Sequence, residues 1–109
     1  MPTYKLKYMF DWGSGVCLWS DNDEAKEKFG DYPIEEMEKL PVSAELREEL
    51  EYLITEHDKA LNWEDPGGDL LWNDQQVTQF KQRAEQAYER LVRELGSDFQ
   101  AEFKESWLI

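Results

Sequence analysis

The sequence is poor in the residues that most often carry chemistry. It holds one cysteine, Cys17, and one histidine, His57, in 109 residues. A lone cysteine excludes an intramolecular disulfide and a Cys-x-x-Cys metal site, and it fits a reducing compartment. No apolar run approaches the ~18 residues of a membrane span. The opening MPTYKLKYMF lacks the long apolar stretch of a secretory signal. A cytoplasmic protein is therefore expected. Neither G-x-G-x-x-G nor Gly-Lys-Ser/Thr occurs, so the usual phosphate-binding loops are excluded.

Positive charge is also scarce. Twelve Lys and Arg face 25 Asp and Glu, a net charge of −13. The excess is concentrated in the middle of the chain: residues 20–69 carry 17 acids and 5 bases, whereas residues 1–19 are net +1. Such a surface repels nucleic acid and anionic membranes and steers basic partners towards it. It also serves solubility, without any partner. The length suits one domain over 1–109 with one core. Five Trp, five Tyr and five Phe supply material for that core and for an interface.

Hydrophobic patterning divides the chain into elements. Tyr4, Leu6, Tyr8, Phe10 and Trp12 alternate with Lys5, Lys7, Met9 and Asp11, as in a half-buried strand. Gly13-Ser14-Gly15 then reads as a three-residue turn, and VCLWS as a short return strand. In that register Trp12 faces Val16, Phe10 faces Leu18 and Met9 faces Trp19. Cys17 and Trp19 then lie on the outer face with Met9, Lys5 and Lys7, whereas a two-residue turn would swap Cys17 and Trp19 inward and turn Val16 and Leu18 outward. Ser20 and Asp23 have the spacing of a capping box, which predicts a short helix from about Asp21 to Phe29, stopped at Gly30. DYPIEEMEKLP reads as a loop with one helical turn. Ser43 caps a long helix whose apolar stripe is Leu46, Leu50, Leu53, Ile54, His57 and Leu61. Pro66, Gly67 and Gly68 break it. A second long helix begins after Asn73 or Asp74, with Val77, Phe80, Ala84, Ala87, Tyr88, Leu91 and Leu95 on one face, and ends at Gly96. Phe99, Ala101 and Phe103 alternate in a closing strand. The expected fold is α+β: a small, mostly antiparallel sheet, made of the N-terminal hairpin and the C-terminal strand, packed against two long helices and one short one.

No catalytic constellation assembles in this pattern. The glycines lead into a strand and not a helix, so they suit a turn better than a phosphate site. Cys17 has no base near it in sequence, and acidic surroundings weaken a thiol. The residues three and four positions from His57 are Leu53, Ile54, Ala60 and Leu61, so no carboxylate shares its helix face. His57 reads as a core-edge histidine. DNDE at 21–24 lacks the central Gly of a calcium loop, and helix capping explains its acids. No metal or cofactor is expected. The stretch from Asn62 to Trp72 says more. Trp63 and Trp72 flank Glu64, Asp65 and Asp69 around Pro-Gly-Gly. This is either a connection whose tryptophans cap the helix pair or a binding loop, since Trp is a preferred anchor and rim acids attract a basic partner.

The order CLWSDNDEAKEKFG, LPVSAEL and EHDKALNWEDPGGDLLW resembles a family of small, acidic, uncharacterised bacterial proteins, over roughly residues 3–96. By size and charge such proteins look like immunity proteins of bacterial toxin systems, including contact-dependent inhibition. The resemblance carries no catalytic residue onto this chain. It implies a non-enzymatic inhibitor that binds a cognate toxin domain in the cytoplasm, as a monomer or a 1:1 complex. The candidate contact residues are Trp63, Asp65, Asp69 and Trp72, with Asp21, Asp23 and Glu24 as a second patch, and Trp19 if it is exposed beside Met9. Toxin nucleases offer basic clefts that an acidic surface can fill. The alternatives are a nucleic-acid mimic acting on another basic protein, an enzyme or small-ligand domain built on His57, Cys17 and surface carboxylates, and an adaptor or oligomer subunit.

Overall fold

The alternation of Tyr4–Tyr8 produces the central strand of a three-stranded sheet. In the computed structural model, which describes residues 3–65, 68 and 71–103, β1 (Tyr4–Tyr8) lies between β2 (Leu18–Ser20) and β3 (Phe99–Phe103). Leu6 and Tyr8 are buried on the inner face, while Lys5 and Lys7 turn outwards. Three helices separate β2 from β3: α1 (Asp23–Phe29), α2 (Ala44–Ala60) and α3 (Asp74–Leu95). A single 3-10 turn, Met37–Lys39, precedes α2. The expected α+β class and order of elements are present.

The sheet is mixed, not mostly antiparallel. β1 pairs antiparallel with β2 but parallel with β3, Tyr4 opposite Phe99 and Tyr8 opposite Phe103. The chain's route explains this. The outer edge of β2 is taken by residues 32–34, through Ile34 N–H to Leu18 O at 2.9 Å and Ser20 N–H to Tyr32 O at 2.6 Å. Only the far edge of β1 remains. α3 returns the chain to the start of β1, where the Thr3 and Tyr4 amides both donate to Asp98 O, at 2.8 and 2.9 Å. β3 therefore starts level with Tyr4 and runs alongside it.

The first hairpin also differs from expectation. Tyr8, not Phe10, lies opposite Leu18, and Lys7, not Met9, opposite Trp19. The shift is two residues, so each strand keeps its faces. The connection is not a three-residue turn: the ladder ends after Met9 N–H donates to Cys17 O at 3.0 Å. Beyond it the alternation lapses, and Val16, Cys17 and Leu18 are buried consecutively. Cys17 is thus a core residue, not an outer-face one. Gly13 and Gly15 do supply positive φ, at 81° and 73°.

The helix boundaries follow their caps. Asn22, not Ser20, caps α1, its side chain accepting from Ala25 N–H at 2.9 Å. Ser20 faces inwards and donates to Gly30 O. Ser43 caps α2 as expected, accepting from Leu46 N–H. Asn73 and Gln76 exchange two hydrogen bonds in a capping box at the start of α3. Gly96 ends α3 at φ 81°. The three helices cover one face of the sheet. Phe29 of α1 meets Tyr4, Tyr8 donates to Ala84 O of α3 at 3.0 Å, and Phe10 reaches both His57 of α2 and Phe80 of α3. Among the described residues no helix is long and apolar enough to cross a membrane.

A candidate interaction site at the end of α2

A helix leaves its last carbonyls without intrahelical partners, and something must satisfy them. At the end of α2 two tryptophans and a backbone amide do so. Trp12 Nε1 donates to His57 O at 2.8 Å, Trp63 Nε1 to Asp58 O at 2.9 Å, and Leu71 N–H to Ala60 O at 2.8 Å. Gly13 N–H adds a bond to Asp58 Oδ1 at 3.0 Å. The Gly-Ser-Gly connection and the loop after α2, far apart in sequence, therefore meet on one helix end. A Cβ on Gly13 would lie 3.3 Å from the Trp63 ring.

His57 forms the floor of this junction. It is 1% exposed, stacks on Trp12 with centroids 4.5 Å apart and planes 15° apart, and touches Phe10 and Phe80. It is deeper than the core edge expected for it. Cys17 is fully buried, and burial pushes its thiol pKa up, which keeps it protonated and unreactive at neutral pH. Among the described residues no three His, Cys, Asp or Glu side chains gather as a metal site, and every buried side-chain nitrogen or oxygen has a partner.

The outside of the junction is different. Of the described residues, the large apolar side chains that stay exposed are Tyr32, Tyr52, Trp63, Leu71 and Val92. Tyr52, Trp63 and Leu71 belong to α2 and the loop that follows it. Segments 11–15 and 56–65, which meet at Gly13, Asp58 and Trp63, carry five carboxylates, Asp11, Glu56, Asp58, Glu64 and Asp65, and one cation, Lys59. Exposed Trp63 beside an excess of carboxylates suits a binding surface. Trp63 and Asp65 are both exposed here. Asp69 lies outside the described residues, as do Pro66 and Gly67.

Trp72 sits round the corner. It is half-buried against Phe80, with ring centroids 5.2 Å apart, and closes one end of a pocket of about 200 Å³ between α2 and α3. Leu53 and Phe80 form the floor, and Tyr52, Gln76 and Gln79 the walls. Arg83 lies at the mouth, 4.2 Å from the Tyr52 centroid. Two hydrogen bonds tie it to Glu49, at 2.6 and 3.0 Å, and that carboxylate raises the guanidinium pKa further. Sequence reasoning did not single out Tyr52, Gln76 or Gln79. The recurrence of glutamine at 75, 76, 79, 82 and 86 was the visible signal.

The other candidates lie elsewhere. Asp21, Asp23 and Glu24 are exposed around the start of α1, beside the beginning of β1, where Asn22 Nδ2 donates to Thr3 O and Lys7 lies 3.6 Å from Asp21. The α2 junction is at the other end of β1. Trp19 is half-buried on the outer sheet face, and its indole donates to Met9 O at 3.2 Å. That face is turned away from the helices, so Trp19 does not share a surface with Trp72.

Residues 4–106 match the family model described as Serratia CdiI immunity protein-like. The chain belongs to this family. No curated protein matches it. The match bears out the resemblance to immunity proteins of contact-dependent inhibition, and membership in a CdiI-like family suggests a toxin-neutralising role.

Proposed function

We propose that this CdiI-like protein acts in the cytoplasm as one domain over residues 1–109. Its role there is to bind and neutralise the toxin domain of its own contact-dependent system, without catalysis and in a 1:1 complex. Family membership over nearly the whole chain carries the reading. The contact surface we favour is the acidic, tryptophan-containing end of α2, with Trp63, Asp65, Asp69 and Trp72. The exposure of Trp63 and the excess of carboxylates in the two segments that meet there support that choice. Asp21, Asp23 and Glu24 form a second, separate patch that contributes long-range attraction, and Trp19 is the weakest contact candidate. A toxin nuclease is the partner that a net charge of −13 suits best, because a phosphate-binding cleft is basic.

The test is co-expression with the toxin domain encoded beside the gene. Cells carrying both should grow, and cells carrying the toxin alone should not. Growth arrest in both would refute the reading. Protection against several unrelated basic nucleases would replace a dedicated immunity protein with a general nucleic-acid mimic.

A further inference from the structure

The pocket between α2 and α3 has a balanced charge on a strongly acidic chain. The chain is net −13, yet the charged groups at the pocket's rim are matched. Arg83 is held by Glu49, and Glu56 by Lys59 at 3.0 Å. The remaining lining is aromatic, aliphatic or amide.

Each class of occupant meets a different obstacle or fit. A cation entering the pocket finds the Tyr52 ring already covered by Arg83 and both nearby carboxylates already paired. An anion finds Arg83 already paired and meets the negative field of the whole molecule. An uncharged ring needs no counter-charge. It can pack on Phe80 and Trp72 and offer a polar edge to Gln76 or Gln79. About 200 Å³ has room for one large side chain. Tight interfaces are built around such anchors, usually Trp or Tyr, in pockets that a rim shields from water.

We propose that the Trp72 pocket receives one uncharged aromatic side chain, Trp or Tyr, from the protein partner, while the surrounding carboxylates steer that partner in. This rests on the immunity reading above and names the kind of contact it uses.

The experiment has two arms. In the first, 3-methylindole is titrated into the native chain and followed by the resonances of the Trp72 indole N–H and the Gln79 side-chain amide. Saturable shifts at both are expected, with none from methylguanidinium or acetate at the same concentrations. The exposed Gln79→Trp substitution fills the mouth and should abolish the shift of the Trp72 indole N–H at an unchanged melting temperature. In the second arm, Gln79→Trp should weaken binding of the adjacently encoded toxin domain by about tenfold or more. Absence of saturable indole shifts in the native chain overturns the inference whether or not the toxin binds, and that titration needs no variant. A toxin that binds Gln79→Trp as tightly as the native chain also overturns it, leaving the immunity reading intact. A toxin that does not bind the native chain overturns the immunity reading itself.

Discussion

The indole of Trp12 lies flat on the imidazole of His57, 4.5 Å away, and its N–H donates to the backbone carbonyl of the same residue at 2.8 Å. One side chain thus caps α2 and covers the only histidine. The pairing fixes the first connection against the helix end and holds Gly13 beside Trp63, so the exposed corner rests on a buried aromatic floor.

Trp12→Phe tests the two halves of that contact. It keeps a ring over His57 and loses the bond to the carbonyl. The expected cost is about 1 kcal/mol, or roughly a 5 °C drop in melting temperature for a domain of this size. Trp12→Ala removes the ring as well and should cost at least about 2 kcal/mol. Urea unfolding of both variants checks the order.

Gly13 and Gly15 both hold positive φ, but only Gly13 is packed. An alanine at either position strains the backbone by about 1–2 kcal/mol. At Gly13 its methyl must also displace the Trp63 ring, 3.3 Å away, whereas at Gly15 it meets nothing within 4 Å. Gly13→Ala should therefore be the more destabilising. It should also change the emission of Trp63, which Gly15→Ala should not. Equal costs would show that the junction is loose.

Glu94 supplies a pH signature. It accepts from the Ser43 amide at 2.6 Å and from Arg90 Nε at 2.6 Å, joining the start of α2 to the end of α3. Chiefly through the Ser43 bond, its carboxyl is held below the ordinary glutamate value. A depressed pKa contributes stability above the unfolded value and loses it as pH falls through the folded one. The stability gap between native and Glu94→Gln should be full at pH 6–7, shrink below about pH 4.5 and close in stronger acid. A gap independent of pH would exclude the carboxylate as its source.

What was legible in the sequence is local. Leu6 and Tyr8 alternating with Lys5 and Lys7 mark a strand, Ser43 marks one helix start, Asn73 or Asp74 the other, and Gly96 a helix end. These signals act over a few residues, and the helices formed where they pointed. The errors arose where distant segments decide. The parallel pairing of β1 with β3 depends on where α3 delivers Asp98. The length of the first connection depends on Trp12 leaving the strand to reach α2. Asn22 displaced Ser20 as a cap because Ser20 was needed beneath Gly30. The site divides in the same way. Trp63 and Trp72 stood out by composition and by their acidic neighbours. The pocket could not, because Tyr52 and Gln79 face each other only after two helices have packed.

The most direct test of the central claim is the association of the purified chain with the toxin domain encoded beside it, measured by titration calorimetry at about 50 and about 300 mM salt. A 1:1 complex is expected that weakens as salt rises, since screening over a Debye length of ~10 Å at 0.1 M shields the attracting charges. The exposed double reversal Glu64→Lys, Asp65→Lys should weaken the complex by about tenfold at the lower salt. No association at either salt concentration would show that the chain does not neutralise that toxin by binding it.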